Sequence, residues 1–238
     1  MRNDGPAWPV IAIEPCLSWL YAMRQADRPT LITVSQAITA LAEAGPGLAR
    51  PLVARLAGSR LPNLQELRPG AAGSTEARLL FIVDPYRHAV FLVGADKSGK
   101  WTAWHKTAIP LAEEAYGGYL RDERERSRPS RSRPHSRSWD DLAQQFDFSP
   151  AERRQILQGA DQMIAEVRAR RLTEVRKRQN VTQVEVAGAM GVSQGSVSRI
   201  EKGQLERREV DTLAAYVKAL GGQLKIIADF GDETYVLG

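Results

Sequence analysis

The segment from Thr182 to Gly203 limits the possible folds most strongly, because its residues specify two short helices and the turn between them. Thr182 and Glu185 have the spacing of a capping box, in which each side chain binds a backbone N–H at the start of a helix. Gly191 stands where a tight turn needs left-handed backbone, and Ser193 is a preferred cap for the helix that follows. The side chains expected between the two helices are small or apolar: Ala187, Val192, Val197 and Ile200.

Two helices joined by such a turn form the arrangement that carries a recognition helix into the major groove of DNA. An ordinary helical hairpin is the alternative, but it gives no reason for the caps, the glycine and the small residue to coincide. Polar side chains are expected to face outward near the start of the second helix, where base edges would lie: Gln194, Ser196, Ser198 and Arg199.

This segment resembles the XRE (Cro/C1-type) helix-turn-helix family, and the resemblance extends from about Met163 to Leu220. It implies that Gln183 contacts a phosphate at the N-terminus of its helix, where the helix dipole also favours an anion. It also implies that side chains of the second helix meet bases or the adjacent backbone. The predicted DNA-binding residues are Gln183, Ser193, Gln194, Ser196, Ser198, Arg199 and Lys202. The tail from Gly222 to Phe230 alternates like a β-strand, which resembles the strand added in antitoxins of this family.

The composition indicates a chain of two domains with a polyanionic partner. The 238 residues suggest more than one domain, and the net charge of +5 suits nucleic acid, although a basic balance can also serve solubility alone. Cys16 is the only cysteine, so no intrachain disulfide is possible and a reducing cytoplasm is the expected location. No apolar run has membrane-spanning length, and no secretory signal is evident. We expect neither a metal nor a cofactor, since the three histidines are too scattered for metal ligation: His88, His105 and His135.

The segment 121–138 marks a predicted domain boundary, because it repeats Arg, Ser and Pro and has almost no apolar residue. Such a segment cannot bury enough surface to offset its ordering entropy, so we expect a solvated tether. An RNA-binding arm is the alternative, since arginine-rich segments can engage nucleic acid. The predicted domains are therefore residues 1–120 and 139–238, and in the second of these Ser149–Glu152 is expected to cap a long helix.

Residues 1–120 have the pattern of a mixed α and β domain. The sequence predicts a strand, two helices, three further strands and a final helix, in this order: Trp8–Ile13, Pro15–Gln25, Pro29–Ala44, Asn63–Leu67, Glu76–Val83, His88–Val93 and Ile109–Leu120. Asp84–Arg87 forms a predicted tight turn, so the two strands that flank it should pair antiparallel.

This domain resembles the RelE/ParE superfamily of bacterial toxins, in its phage-derived HigB-like branch. The residues that carry the resemblance lie between Trp8 and Leu120: Gly45-Pro46, Arg50–Val53, Gly58–Arg60, Asn63–Gly70, Glu76–Arg78, Asp84-Pro85 and Gly94–Lys97. The resemblance implies an α+β domain with helices packed on an antiparallel sheet, followed by a mainly helical XRE domain with a short terminal strand. It also implies cleavage of messenger RNA, generally on the ribosome, and neutralisation by an XRE-type antitoxin. Here both halves lie in one chain, with the toxin-like half first.

The chemistry that this resemblance implies is attack of a ribose 2′-OH on its own phosphate, which needs a base, an acid and cations but no metal. The predicted catalytic residues are Arg68, Arg78, Lys97, Lys100 and His105. Arg68 and Arg78 lie in or at the ends of strands and are expected to clamp phosphate bidentately, with a lysine assisting. His105 is the predicted acid or base, because histidine titrates near neutral pH. Alternatively, each arginine pairs with Glu66 or Glu76 on a solvated face of the sheet.

Gly94–Lys100 fits the opening of a phosphate-binding P-loop, but the next residue, Trp101, lacks the hydroxyl that would bind magnesium. No long helix is expected to begin at the lysine. We therefore expect a glycine-rich turn rather than a nucleotide site.

The two resemblances imply two alternative functions. In the first, the chain is a type II toxin–antitoxin module whose ribonuclease half is neutralised by a linked antitoxin that represses its own operon. Its expected partners are palindromic operator DNA, messenger RNA with the ribosome, and a second copy of the chain in a homodimer. The toxin-like and antitoxin-like domains are expected to contact each other, within one chain or between two chains. Proteolysis of the tether between Arg121 and Ser138, or degradation of the C-terminal half, would then release the nuclease. In the second, the chain is a DNA-binding regulator whose toxin-like half is inactive.

Overall fold

A computed structural model describes residues 8–70, 76–96, 101–126, 136–203, 210–229 and 234–237 of the chain. The chain divides into two compact units, one spanning Ala7–Met163 and the other Ile164–Gly238. We call them the α/β unit and the helical unit. The boundary between them lies inside a helix, which differs from the linker at 121–138 that the composition suggested.

The α/β unit has a sheet with helices on both faces. Its elements are β1 (Val10–Ile13), α1 (Cys16–Ala26), α2 (Arg28–Ala44), β2 (Val53–Arg55), β3 (Gln65–Leu67), β4 (Ala77–Val83), β5 (Ala89–Asp96), α3 (Trp101–Arg126), β6 (Ser136–Ser138), α4 (Trp139–Gln145) and the first part of α5 (Pro150–Arg178). The six strands described lie in the order β2-β3-β4-β5-β1-β6. β2 and β6 were not predicted; β6 lies at the end of the Arg/Ser/Pro-rich run that the sequence analysis assigned to the linker.

The sheet is mixed, whereas the sequence predicted an antiparallel one. β4 and β5 pair antiparallel across their turn, as predicted, with Val83 opposite Ala89. β1 instead runs parallel to β5, with Ile11 opposite Val90. Strand alternation shows which side chains share a face, but it does not reveal which strand is the partner.

α1 and α3 pack on opposite faces of the sheet, because neighbouring side chains on a strand point in opposite directions. Gly94 on β5 faces α1, where a Cβ atom would lie 2.3 Å from the Trp19 ring. The preceding residue, Val93, packs in the cluster that includes Ala108 and Ala112 of α3. We call this second side the α3 face.

α3 is longer than predicted at both ends, since it runs from Trp101 to Arg126. It contains Pro110 in its interior. Proline removes one helical hydrogen bond, but the burial of Ala108 and Ala112 against the sheet favours a continuous helix. The expectation that no long helix follows Lys100 was therefore wrong.

Residues 136–138, which the sequence placed in the linker, and residues 139–163, which it placed in the second domain, form part of the α/β unit. β6 pairs antiparallel with β1, and the segment after it buries several apolar side chains: Trp139, Leu142, Phe146, Phe148, Ile156 and Ala160. Composition detects an Arg/Ser/Pro-rich run, but it does not show which core receives the apolar residues that follow. Of the predicted linker, residues 121–126 belong to α3 and residues 127–135 lie outside the described part of the chain.

The helical unit continues α5 and adds α6 (Gln183–Met190), α7 (Gln194–Ile200), α8 (Val210–Ala219), β7 (Ile226–Asp229) and β8 (Thr234–Leu237). The predicted cap of α5 is present, since Ser149 Oγ accepts a hydrogen bond from the backbone N–H of Glu152. The predicted terminal strand is β7, and it pairs antiparallel with β8. Val192 is 40% exposed and does not join the core, because it lies in the α6–α7 turn. No helix among the described residues is both long and apolar enough to cross a membrane.

Candidate functional sites

Glu66, Arg68 and His105 form an ion cluster on the α3 face. Glu66 lies on β3 with no exposed surface, and its Oε2 accepts a hydrogen bond from Arg68 Nε at 2.5 Å. Its Oε1 lies 3.2 Å from Nε2 of His105 on α3. The side chains of Arg68 and His105 are 25% and 24% exposed. The buried carboxylate thus holds two side chains that solvent can reach.

Arg78 lies beside this cluster. Leu67 on β3 lies opposite Leu79 on β4, and the two strands are antiparallel. Continuing this register by one residue places Arg68 opposite Arg78, so the two are cross-strand neighbours. Arg78 Nη1 donates to the carbonyl oxygen of Ala77 at 2.7 Å, and its Nη2 lies 3.7 Å from Glu76 Oε2. Its Nε is buried and has no hydrogen-bond partner among the described residues. An unsatisfied buried donor costs about 1–3 kcal/mol, so an acceptor that reaches this atom would be stabilised there.

The structure brings together three of the five predicted catalytic residues, and it adds Glu66. Lys97 and Lys100 lie outside the described residues. The ion pairs that the sequence analysis gave as the alternative to phosphate binding are also present, between Arg68 and Glu66 and between Arg78 and Glu76. The sequence contained one indication of Glu66, because a charged residue stands next to the apolar Leu67 within a short predicted strand.

The helix-turn-helix has the predicted caps and turn. Thr182 Oγ1 accepts a hydrogen bond from the N–H of Glu185 at 3.2 Å, and Glu185 Oε2 accepts one from the N–H of Thr182 at 2.6 Å. Gly191 has a φ of 67°, in the left-handed region. Ser193 Oγ accepts from the N–H of Ser196 at 3.2 Å. The capping box, the left-handed glycine and the serine cap are all confirmed.

Glu201, directly after α7, is the polar centre of the helical unit. It accepts hydrogen bonds from Arg176 Nε at 2.5 Å and from Tyr216 Oη at 2.6 Å. Burial alone would raise the pKa of Glu201, but the hydrogen bonds that it accepts, first from Arg176, outweigh burial and lower this pKa to about 2. Burial, followed by the hydrogen bond to Glu201, raises the pKa of Tyr216. The sequence analysis did not identify this cluster, because its members come from three separate helices or their ends.

Gln183 and Gln194, both predicted to bind DNA, contact each other. Gln194 Nε2 donates to Gln183 Oε1 at 2.6 Å, and Gln183 Nε2 donates to Glu201 Oε2 at 2.9 Å. This chain of hydrogen bonds fixes the first side chain of α7 against the first side chain of α6. The other predicted DNA-binding residues are exposed or partly exposed: Ser193, Ser196, Ser198, Arg199 and Lys202.

The structure defines the class of the chain as an α/β unit followed in sequence by a helix-turn-helix unit. Comparison with known families gives two matches. The family described as "Phage derived protein Gp49-like (DUF891)" matches residues 22–117, and the family "Helix-turn-helix" matches residues 172–227.

Relatives from Mycobacterium tuberculosis match each half of the chain. The candidate toxin HigB2 is 40% identical over 117 residues, which are 49% of this chain and 56% of HigB2. The candidate toxin HigB3 is 36% identical over 48% of this chain and 95% of its own length. The candidate antitoxin HigA3 is 49% identical over 32% of this chain and 72% of its own length. A solved HigA antitoxin, described by induced DNA bending and unique dimerization, is 51% identical, covers 28% of this chain and 86% of its own, and has a TM-score of 0.27.

The chain belongs to the HigB toxin family in its first half and to the HigA antitoxin family in its second half. The match spans about half the length of HigB2 and nearly all of HigB3. Both resemblances drawn from the sequence are therefore confirmed, and the two families occur here in one polypeptide.

Proposed function

We propose that the chain is a type II toxin–antitoxin module in which the α/β unit is a metal-independent endoribonuclease and the helical unit binds operator DNA. The observation that carries the nuclease assignment is the cluster of Glu66, Arg68 and His105, with Arg78 beside it. An ion pair that only contributes charge to the protein surface can form between two exposed side chains, so it does not require a buried carboxylate. Here the carboxylate is fully buried, and it presents an imidazole and a guanidinium toward solvent.

In this proposal the cluster cleaves RNA by attack of a ribose 2′-oxygen on the adjacent phosphorus. The bond from phosphorus to the 5′-oxygen breaks, which leaves a cyclic phosphate and a 5′-hydroxyl. His105 accepts the proton of the 2′-hydroxyl, and the departing 5′-oxygen takes a proton from water, while Arg68 and Arg78 stabilise the negative charge on the phosphorus oxygens. Glu66 has no exposed surface, so it acts as a positioning residue that orients His105 and Arg68.

The test uses residues 1–163, because the α/β unit ends at Met163 and a fragment that stops at residue 120 would lose its buried apolar segment. We expect this fragment to arrest growth and to cut ribosome-bound message, and the full chain to do neither. His105→Ala should slow cleavage by roughly 10²- to 10⁴-fold. His88→Ala is the matched control, since His88 lies in the β4–β5 turn beside Asp84. A folded fragment that cuts no RNA would contradict the nuclease assignment.

For the helical unit we propose binding to a palindromic operator as a homodimer in the cytoplasm, where it represses its own operon. One recognition helix reads only a few base pairs, so two half-sites about 34 Å apart are needed. The exposed polar residues at the start of α7 and their ordered link to α6 support this assignment. Equal affinity for operator and random DNA at moderate salt would contradict it.

A second candidate function is a DNA-binding regulator with an inactive α/β unit. The observation that favours it is that Arg68 and Arg78 both have glutamate partners within their own sheet region. The cleavage assay on residues 1–163 distinguishes the two functions, because only the first predicts a loss of activity in His105→Ala.

A further inference from the structure

The loop between β2 and β3 is held on α3 by one carboxylate. Glu113 Oε1 accepts hydrogen bonds from the Ser59 hydroxyl at 2.9 Å and from the backbone N–H of Arg60 at 2.6 Å. Its Oε2 accepts a hydrogen bond from Arg60 Nε at 2.7 Å. Leu61 of the same loop packs in the apolar cluster that includes Ala112 of α3. The loop therefore has a defined position on the side of the sheet that α3 covers.

The Glu113 side chain is mostly buried, but the cation that it holds is exposed. Its side chain is 9% exposed, whereas that of Arg60 is 86% exposed. The hydrogen bonds that Glu113 accepts, first from the backbone N–H of Arg60, lower the pKa of its carboxyl, so it is ionised at neutral pH. Within the described part of the chain, the terminal nitrogens Nη1 and Nη2 of Arg60 make no hydrogen bond. This edge of the guanidinium can bind an anion through two parallel N–H groups.

Arg68 is held in the same way as Arg60. In both pairs the arginine donates from Nε to one carboxylate oxygen, and the glutamate has little or no exposed surface. The Ser59 hydroxyl and the backbone N–H of Arg60 already join the loop to Glu113. An ion pair with an exposed partner adds little stability. The Arg60 guanidinium thus contributes little to the attachment of the loop, and its exposed edge suits the binding of a ligand.

His105 and Glu113 lie along one side of α3. They are eight residues apart, and positions i, i+4 and i+8 share a helix face, with Ile109 between them. At about 1.5 Å per residue, the two positions lie about 12 Å apart along the helix axis. His105 meets Glu66 on β3, and Glu113 meets the loop that leads into β3. The two cation sites are therefore neighbours on the same side of the unit, but they are too far apart to share one phosphate group.

We propose that Arg60 is a second phosphate-binding residue of the α/β unit, which holds a phosphate of the RNA strand other than the one that is cleaved. The inference rests on the proposed function, because it takes the Glu66 cluster as the site of the scissile phosphate. Glu113 is a positioning residue, since it contacts the guanidinium rather than the RNA. The ligand is single-stranded RNA, whose flexible backbone brings successive phosphates to cations that follow a groove. Contacts to phosphate add affinity without reading the bases.

The experiment measures binding of two 2′-O-methyl oligoribonucleotides to the full chain by nuclear magnetic resonance titration, followed at amides of β3 and β4. The methyl group blocks the 2′-oxygen, so neither oligonucleotide can be cleaved. A dinucleotide with a single phosphate reaches only one site, whereas a hexanucleotide reaches both. We expect Arg60→Ala to weaken binding of the hexanucleotide by roughly tenfold and to leave the dinucleotide unchanged. The slope of log affinity against log salt for the hexanucleotide should become less steep by about 0.7.

Three further variants complete the test. Arg24→Ala is the matched control, because it removes an exposed arginine from α1, on the face opposite α3. Arg60→Lys keeps the charge but not the planar fork, so it should restore the salt slope and only part of the affinity. Arg68→Ala should weaken binding of both oligonucleotides.

Three results would overturn the proposal: no binding of the hexanucleotide by the full chain, an unchanged affinity in Arg60→Ala, or an equal loss for both oligonucleotides in that variant. The nuclease assignment fails separately. If Arg60→Ala behaves as expected but residues 1–163 cut no RNA, the second phosphate site stands and the nuclease assignment does not.

Discussion

The Arg176 guanidinium contacts both carboxylate oxygens of Glu201, with Nε 2.5 Å from Oε1 and Nη2 2.9 Å from Oε2. The two side chains are 10% and 4% exposed. Arg176 also donates to the carbonyl oxygen of Val181 at 2.7 Å. One buried pair thus joins α5, the segment before α6 and the end of α7.

Glu201→Ala should destabilise the helical unit by about 3–5 kcal/mol, because it leaves the buried Arg176 charge without its partner. Hydrogen exchange of α6 and α7 amides is the suitable measurement, since all five tryptophans precede residue 164 and fluorescence would report the other unit. Glu174→Ala is the control, because Glu174 pairs with Arg170 where both side chains are 50% exposed. Equal effects of the two substitutions would contradict a buried pair.

The stability of the helical unit should depend on pH through Glu201. Its pKa is about 2 in the folded chain, below the ordinary value of 4.5. The ionised carboxylate therefore contributes stability that is present above pH 4.5 and is lost as the pH falls through about 2. We expect urea denaturation followed by far-UV circular dichroism to show this loss. In Glu201→Gln the loss over the same pH range should be smaller, and equal slopes would count against the assignment.

Two glycines of the helical unit should differ in their tolerance of alanine. Gly203 has a φ of 71°, and a Cβ atom there would lie 3.0 Å from the backbone carbon and oxygen of Ala165. Gly191 has a φ of 67° but open space around it. We expect about 1 kcal/mol of destabilisation for Gly191→Ala and more for Gly203→Ala, because only the second adds a clash with backbone. Gly191→Val should cost about 1–3 kcal/mol. Thermal melting of the full chain measures the relative stability of these variants. A Gly203→Ala variant as stable as Gly191→Ala would contradict the expected difference.

Arg199→Ala should weaken binding to DNA and reduce the salt dependence of binding by about one counterion. Arg199 is exposed on α7, next to Ser196. Fluorescence anisotropy over a series of salt concentrations gives the slope directly. Lys218→Ala on α8 removes the same charge outside the helix-turn-helix and serves as the control. Gln194→Ala should instead relax sequence preference, which competition with altered operators would reveal.

The helix-turn-helix shows how much local sequence can specify. The capping box at Thr182, the left-handed Gly191 and the cap at Ser193 each depend on contacts within about four residues. Such contacts form with little loss of chain entropy beyond that of the helix itself. The same reasoning identified the turn between β4 and β5 and the cap at Ser149. It failed for Val192, because an exposed position in a turn cannot be distinguished from a buried one by hydrophobicity alone.

What the sequence by itself determined is the class of each half, the bounds of α1 and α2 to within one residue, and the caps and turn of the helix-turn-helix, but not the bounds of α3. The tertiary structure decided the pairs that define the sites, which join residues far apart in the chain: Glu66 with His105, Arg60 with Glu113, and Arg176 with Glu201. It also assigned residues 139–163 to the α/β unit rather than to the second domain that the sequence predicted. The physical reason is that a buried charge is stable only beside its partner, and which partner it meets depends on how the whole chain packs.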